Sequence, residues 1–122
     1  MSHLTKELIS KCREKLISTR AEILNRVKST RFDLYADDKG GDEADQTVRT
    51  MAESETLSMH ERLRHKLQEI EFALSRIESG TFGFCEETEE PIEKDRLLAI
   101  PWTRLSIEGA EIRESMQKRY AR

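Results

Sequence analysis

Two stripes of apolar residues with helical spacing constrain the fold of this 122-residue chain more than any other feature. In residues 3–34, apolar or small side chains recur in steps of three and four, at Leu4, Leu8, Cys12, Leu16, Thr19, Ile23, Val27 and Thr30. The second stripe has the same spacing, at Met59, Leu63, Leu67, Ile70, Leu74 and Ile77, and extends towards residue 46 through Val48, Met51 and Ala52. Such spacing places the apolar side chains on one face of each α-helix.

These stripes predict an antiparallel helical hairpin over residues 1–80. The segment between them, LYADDKGGDEADQT at residues 34–47, is polar and holds two adjacent glycines, which is typical of a turn. Narrow apolar seams favour a two-helix coiled coil, and helices of about 30 residues would extend roughly 45 Å. Gly80 follows the second stripe, where a left-handed residue commonly ends a helix.

Composition narrows the classes of protein to which the chain can belong. Charged residues make up 37% and hydrophobic residues 36%, which is typical of long solvated helices rather than of a thick core. The net charge of −3 argues against general binding to nucleic-acid phosphates. We find no signal peptide, no disulfide framework between Cys12 and Cys85, and no apolar run near the roughly 20 residues of a membrane span. We therefore expect a cytoplasmic, monomeric protein.

Residues 81–122 differ in composition from the hairpin and predict a small, turn-rich lobe followed by a last helix near residues 103–120. Both prolines and the single tryptophan of the chain lie in this region. The inward-facing residues of the last helix are expected to be Leu105, Ile107 or Ile112, and Met116. The predicted fold class is therefore mostly α, with a long antiparallel coiled-coil hairpin, a small lobe and a C-terminal helix.

The lobe has the spacing of a zinc ribbon but lacks most of the ligands. The pattern C-x2-C-x15–20-C-x2-C falls on Cys85, Thr88, Ser106 and Gly109. Threonine, serine and glycine supply no thiolate, and one thiolate does not hold a structural zinc ion. The nearby carboxylates, at Glu86, Glu87 and Glu89, are poor substitutes. We expect no metal or cofactor to be bound by the chain alone.

Packing must then replace the metal, which contributes on the order of 10 kcal/mol in a structural site. Four or five buried side chains would compensate at about 1.5–3 kcal/mol each. The candidates are Phe82, Phe84, Ile92, Leu97, Leu98, Ile100, Trp102 and Leu105. Cys12 and Cys85 are predicted to be buried hydrophobes, and acidic neighbours are expected to raise the pKa of Cys85 rather than lower it.

The predicted turn at residues 36–47 is strongly acidic. Its acids are Asp37, Asp38, Asp42, Glu43 and Asp45, with Lys39 as the one base. One interpretation is a solvated turn in which Asp42 or Asp45 caps the second helix. The other is a stiff rod that carries carboxylates to a narrow electropositive site or to a divalent ion held by another protein.

Residues 76–105, RIESGTFGFCEETEEPIEKDRLLAIPWTRL, carry a specific pattern after the acidic hairpin. With that hairpin, the chain resembles the DksA/TraR family of bacterial transcription regulators over essentially its whole length. Because three of the four zinc cysteines are absent, it is similar to the zinc-independent DksA paralogues.

The resemblance implies a protein that binds RNA polymerase, at the β and β′ subunits around the secondary channel, and does not bind specific DNA sequences. The coiled-coil tip would lie near the catalytic magnesium and destabilise open promoter complexes, repressing rRNA-type promoters, usually together with ppGpp. The family's tip motif, Asp-x-x-Asp-x-Ala, falls on Asp42, Asp45 and Thr47, with threonine in place of alanine.

The alarmone response implied by the family is less well supported by the residues. The family's basic positions fall on Glu69, Ile100 and Ala110, and none of these is basic. Arg96 matches a family arginine. Arg62 and Arg96 are the candidate contacts with polymerase or ppGpp. Either the ppGpp response is weak, or residues such as Arg62, Lys66 or Arg104 take over.

Two alternatives remain at this stage. One is a GreA-like transcript-cleavage factor, which shares the hairpin; the other is a structural or adaptor coiled coil. The three histidines, His3, His60 and His65, are scattered and are interpreted as surface residues. No pairing of a nucleophile with a base is suggested, so we do not expect an enzyme.

Overall fold

A computed structural model of the chain describes residues 3–36 and 43–120, with side chains described for residues 3–29 and 46–120. These residues form four helices: α1 (Lys6–Ala36), α2 (Glu43–Ser79), α3 (Lys94–Ala99) and α4 (Ile107–Tyr120). The extended pairing within these described ranges is a single antiparallel bridge between Phe84 and Pro91. The predicted fold class, mostly helical with two long helices and a small lobe, is confirmed.

The chain divides into two compact units. The first, here called the lobe unit, contains Met1–Ser18 and Glu69–Arg122; the second, here called the hairpin unit, contains Thr19–Gln68. Each unit contains part of α1 and part of α2. No helix in the described part of the chain is both long and apolar enough to cross a bilayer.

The two predicted stripes are reproduced in the burial of α1 and α2. In α1 and just before it, Leu4, Cys12, Leu16 and Ile23 are buried, and Leu8, Thr19 and Val27 are half-buried. In α2, Leu63 and Ile70 are buried and the other four residues of the stripe are half-buried. Ala73, which the stripe omitted, is also fully buried. Thr30 lies outside the described side chains.

The predicted extension of the second stripe is wrong. Helix α2 does continue back to Glu43, but Val48 is 67% exposed and Met51 is 62% exposed. Helical spacing fixes only the face on which a side chain lies, whereas burial requires an apolar surface on a neighbouring element. Ala52 is likewise exposed.

Gly80 ends α2 as its position in the sequence predicts. Its φ of +79° is in the left-handed region. The N–H of Thr81 donates to the carbonyl of Arg76 at 3.0 Å, and the N–H of Gly80 donates to the carbonyl of Ile77 at 3.4 Å. These two bonds form a Schellman motif, which satisfies carbonyls that the helix leaves without partners.

Helix α4 differs from its prediction in both its start and its buried face. It begins at Ile107 rather than near residue 103, because Ser106 caps it: the N–H of Gly109 donates to Ser106 Oγ at 3.0 Å. Ile107, Ile112 and Met116, predicted to face inward, are all exposed, and Leu105 is half-buried. Gly109 is the buried residue of α4, because its missing side chain allows the helix backbone to approach Cys85.

The lobe core is smaller than predicted. Of the eight candidates, Phe82, Ile92 and Leu97 are buried, Leu98 is exposed, and Phe84, Ile100, Trp102 and Leu105 are half-buried. Helix α3, which the sequence did not predict, accounts for part of this difference. Lys15 of α1 donates from Nζ to the carbonyls of Leu98 and Ala99, at 3.1 and 3.0 Å, and holds the end of α3. Leu98 therefore contributes its carbonyl to the contact with α1 and leaves its side chain in solvent.

Candidate functional site

A tight turn after Gly83 contains Cys85 and Thr88, the first two positions of the zinc pattern. The N–H of Cys85 donates to the carbonyl of Glu90 at 2.8 Å, and the N–H of Glu89 donates back to the carbonyl of Cys85 at 2.9 Å. Glu89 has a φ of 62°, a left-handed backbone conformation that residues other than glycine rarely adopt. Below the turn, the N–H of Ile92 donates to the carbonyl of Gly83 at 2.8 Å. These bonds close a tight turn in which Thr88 occupies the position of the second cysteine of the zinc pattern.

All four positions of the zinc pattern meet at the sulfur of Cys85. Hydrogen bonding from the side chains and backbone of Thr88 and Ser106 lowers the pKa of this thiol. A Cβ atom placed on Gly109 would overlap Cys85 Sγ. The structure therefore brings Cys85, Thr88, Ser106 and Gly109 together, as their spacing in the sequence suggests, around one buried sulfur atom.

The pKa of Cys85 corrects the expectation drawn from its acidic neighbours. Burial raises the pKa of the thiol, but the hydrogen bonds from Ser106 and Thr88 outweigh burial and lower the pKa to about 6. The carboxylates of the neighbouring Glu86 and Glu87 are paired with arginines. Cys85 is 2% exposed, which confirms the prediction that it is buried.

These residues do not fit a zinc ion. A structural site needs four nitrogen or sulfur ligands in a tetrahedron. This cluster supplies one thiolate, two hydroxyls and a glycine, and the sulfur of Cys85 occupies the space that a side chain at Gly109 would need. Within the described ranges, no group of three or more histidine, cysteine, aspartate or glutamate side chains is placed to hold a metal ion. The cluster is held together by hydrogen bonds and packing.

An alternating ladder of ion pairs borders the cluster. Arg104 Nε contacts Glu69 at 2.8 Å and Arg104 Nη1 contacts Glu86 at 3.6 Å. Arg113 continues the ladder, with Nη2 3.3 Å from Glu86 and Nε 3.1 Å from Glu87. These side chains are 21–41% exposed, so each pair is worth about 1 kcal/mol at most. The ladder orients α4 and the turn, but it does not replace the energy of a metal.

Arg104 and Arg113 were not assigned to this network from the sequence. The available signal was the acidic run after Cys85, at Glu86, Glu87, Glu89 and Glu90, which calls for nearby cations. It did not indicate which arginines would pair with these acids, because Arg104 and Arg113 lie 18 and 27 residues away from Glu86 along the chain. Only the fold decides that pairing.

The two candidate contact arginines lie in different units. Arg62 is exposed on α2 in the hairpin unit. Arg96 lies in α3 of the lobe unit and donates from Nε to the carbonyl of Leu105 at 2.8 Å, so this part of its side chain positions the segment before α4. Of the three positions named above for the alarmone response, Glu69 is bound to Arg104, and Ile100 and Ala110 are half-buried.

The acidic tip falls largely on residues that are not described. Asp42 lies outside the described residues, and Asp45 lies within α2 but its side chain is not described. Thr47 is exposed in the second turn of α2. The roles predicted for Asp42, Asp45 and Thr47 therefore remain predictions.

One histidine has a role that the sequence did not suggest. His3, interpreted as a surface residue, is half-buried against the lobe: its ring meets Phe84 edge-on at 5.3 Å, and Nε2 lies 3.3 Å from the carbonyl of Ile92. The segment before α1 thus packs on the turn that carries Cys85. Of the other two histidines, His60 is half-buried and His65 is exposed.

Comparison with known proteins gives consistent matches. A family model described as the prokaryotic dksA/traR C4-type zinc finger matches residues 80–115. The RNA polymerase-binding transcription factor DksA of Caulobacter vibrioides is 33% identical over 107 residues, which cover 87% of this chain and 75% of that protein. An uncharacterised protein of Aquifex aeolicus is 38% identical over 114 residues, which cover 88% of this chain and 77% of that protein.

A solved structure is similar over nearly the whole chain. The transcription factor DksA2 from Pseudomonas aeruginosa superimposes with a TM-score of 0.84 at 31% sequence identity. The match covers 95% of this chain and 90% of the solved one. The likeness therefore includes the hairpin as well as the segment matched by the zinc-finger model.

Proposed function

This chain belongs to the DksA/TraR family, and from that premise we propose that it is a transcription regulator that binds RNA polymerase. The main support is the similarity to the Caulobacter DksA, which covers 87% of this chain and 75% of that protein. The lobe forms a hydrogen-bonded turn around Cys85 without the full set of metal ligands.

In the proposed mechanism the hairpin enters the secondary channel and places the carboxylates of Asp42 and Asp45 near the catalytic magnesium. Negative charge at that point competes with nucleic-acid phosphates for the local positive field, and so destabilises open promoter complexes. Promoters with short-lived open complexes, such as rRNA promoters, would be repressed most. The proposal requires no direct contact with DNA bases.

We further propose that the protein works without zinc and responds only weakly to ppGpp. The cluster at Cys85 supplies one thiolate and no second strong metal ligand. Of the three positions that are basic in the family, Glu69 is an acid whose carboxylate is occupied by Arg104 at 2.8 Å. A carboxylate at a position where the family binds phosphate with a cation would weaken that binding.

In vitro transcription from an rRNA promoter, using metal-free protein with and without ppGpp, tests this proposal. Wild-type protein should repress in the presence of a strong zinc chelator, and ppGpp should change the repression little. The variant D42N/D45N should lose repression while its affinity for polymerase is largely kept. The matched control D37N/D38N removes the same charge from the same acidic segment and should still repress.

The rival functions give different results in the same assays. If the protein were a GreA-like cleavage factor, backtracked elongation complexes would release cut RNA when it is added. If it were a structural adaptor, D42N/D45N and wild type would give the same transcript levels. Repression that disappears on chelation would exclude zinc independence while leaving the polymerase target intact.

A further inference from the structure

Helix α4 carries an apolar stripe that the lobe leaves in solvent. Ile112, Met116 and Tyr120 follow one another at intervals of four residues and are 37%, 44% and 83% exposed. Side chains four residues apart are neighbours on one face of a helix. Aromatic and methionine side chains are enriched at protein–protein interfaces, so this composition is typical of a surface that contacts another protein. The proposed function assigns no role to the stripe.

Part of the stripe lines an open pocket in the lobe unit. The pocket has a volume of about 450 Å³, and Met116, Gln117 and Tyr120 line it together with Arg113 and Glu87. Arg113 Nε lies 3.1 Å from the carboxylate of Glu87, so these two charges already neutralise each other. A group that fills the pocket therefore gains most from apolar contact with Met116 and Tyr120.

One edge of the stripe is acidic in the first half of α4 and basic in the second. Glu108 and Glu111 are three residues apart, and Lys118 and Arg119 follow Glu111 by about two helical turns, so the four side chains form one row. All four are exposed. Lys118 also lies 3.5 Å from Glu114, but these two side chains are 78% and 67% exposed, and such pairs contribute little.

We propose that two copies of this chain associate through α4 in antiparallel orientation, each stripe packing on the other. A two-fold interface pairs the same surface of both copies. With the two-fold axis near the middle of the stripe, Ile112 of each copy contacts Met116 of the other. The charged row of one copy then runs in the opposite direction along that of the other, so acids meet bases at both ends.

The helix dipole does not account for this arrangement by itself. The dipole favours acids in the first turn and bases in the last, as at Glu108, Lys118 and Arg119, and its effect falls off within one turn. Glu111 lies in the second turn, beyond that range. The dipole also gives no reason for the charges to lie beside an exposed apolar stripe, whereas antiparallel self-association uses both features.

The contact is small, so the dimer should be weak. The 14 residues of α4 extend about 21 Å, and a single helix pair of this length buries less than the roughly 1,200–2,000 Å² of a stable complex. We expect a dissociation constant on the order of 100 μM. The chain is then monomeric in dilute solution, as the sequence predicts.

Sedimentation equilibrium of the full chain, from about 10 μM to about 1 mM, measures this association. Wild type should shift from monomer towards dimer, and M116E should weaken the association about tenfold or more because it places a charge in the apolar contact. The matched control M51E makes the same change at an exposed methionine of the hairpin unit and should associate as wild type does. Wild type that stays monomeric over the whole range would overturn the inference.

Charge reversal tests the antiparallel orientation. E108K/E111K leaves the row entirely basic and K118E/R119E leaves it entirely acidic, so each variant alone should associate more weakly than wild type. An equimolar mixture of the two should recover association, because opposite charges meet along the whole row. If both variants are folded by circular dichroism and the mixture stays monomeric, the antiparallel pairing is wrong.

The remaining outcomes separate this inference from the proposed function, on which it does not rest. If M116E associates as strongly as wild type, self-association uses another surface and the inference fails. If wild type is monomeric while M116E binds RNA polymerase more weakly than M51E does, the stripe contacts polymerase and not a second copy. Failure of wild type to bind polymerase would remove the proposed function and leave the sedimentation result unchanged.

Discussion

The lobe unit and the hairpin unit use the same two helices with different degrees of burial. In the lobe unit, Leu16, Ile70 and Ala73 have no exposed surface, whereas the most deeply buried residues of the hairpin unit, Ile23 and Leu63, are 4% and 8% exposed. In the lobe unit α3 also packs on α1, which adds a further layer to the helix pair. A two-helix layer cannot fully enclose its own seam.

The two units also depend differently on long-range contacts. In the lobe unit, Cys12 contacts the carbonyl of Leu97 across 85 residues, and Lys15 contacts that of Leu98 across 83. In the hairpin unit, the contact between Arg26 and Met59 is a weak N–H···S approach of 3.9 Å. The lobe unit should therefore unfold as one cooperative body, while the hairpin unit should open locally at lower free energy. Four predictions test this contrast.

The largest effect is expected from restoring the metal ligands in the triple variant T88C/S106C/G109C. Without zinc, the variant loses the cap on α4 and crowds Cys85, so the lobe unit should be destabilised. With zinc, a four-thiolate site contributes on the order of 10 kcal/mol. Unfolding followed by circular dichroism should show a large zinc-dependent rise in Tm that EDTA reverses. Wild type should show neither change, and the variant with C85A added should respond far less.

Removing a leucine side chain from each unit gives the next largest effect. Leu97 is fully buried in the lobe unit and Leu63 is 8% exposed in the hairpin unit. Substitution by alanine costs about 2–5 kcal/mol at buried sites, and we expect L97A at the upper end of that range and L63A at the lower. The control L98A, at a side chain 38% exposed, should cost less than about 1 kcal/mol. Equal costs for L97A and L63A, measured by urea denaturation, would contradict the contrast between the units.

Exchanges between glycine and alanine should have the same sign in the two units, for different physical reasons. In the lobe unit, G109A places a methyl group on Cys85 Sγ and should destabilise by about 1–3 kcal/mol, although alanine normally favours a helix. In the hairpin unit, A52G at an exposed helical position should destabilise by about 1 kcal/mol through propensity alone. The double variant C85A/G109A should recover part of the loss caused by G109A, because the crowded sulfur is gone. Additivity of C85A and G109A in urea denaturation would mean that the two residues are not coupled.

The last prediction is a pH dependence confined to the lobe unit. The pKa of Cys85 is about 6 in the folded chain and near 9.0 when unperturbed, so between these values the unfolded state binds more protons. Stability should therefore rise with pH from about 6 to 9, with a slope of up to about 1.4 kcal/mol per pH unit, and be lost as the pH falls through 6. C85A should flatten this slope, while the hairpin variant I23A should leave it unchanged.

The two cysteines show how much of the site could be predicted. Both were expected to be buried, and both are, at 1% for Cys12 and 2% for Cys85. Their thiols nevertheless differ, because burial raises the pKa of Cys12 while hydrogen bonds from Ser106 and Thr88 lower that of Cys85. The spacing 85, 88, 106 and 109 indicated that these residues meet, but not that hydroxyl groups would point at the sulfur. Hydrogen-bond direction depends on the backbone path, which spacing does not specify.

The amino-acid sequence alone determined the two long helices, the glycine that ends α2, the convergence of the four former zinc positions and the family resemblance. Each of these is encoded locally, in periodicity, in one residue with special backbone freedom, or in a spacing set by a common fold. The tertiary structure decided which face of α4 is buried, which arginines pair with Glu86, and that α3 is held by Lys15. These features depend on which distant surfaces meet. A given side chain has several possible partners, and the packing of the rest of the chain determines which of them it contacts.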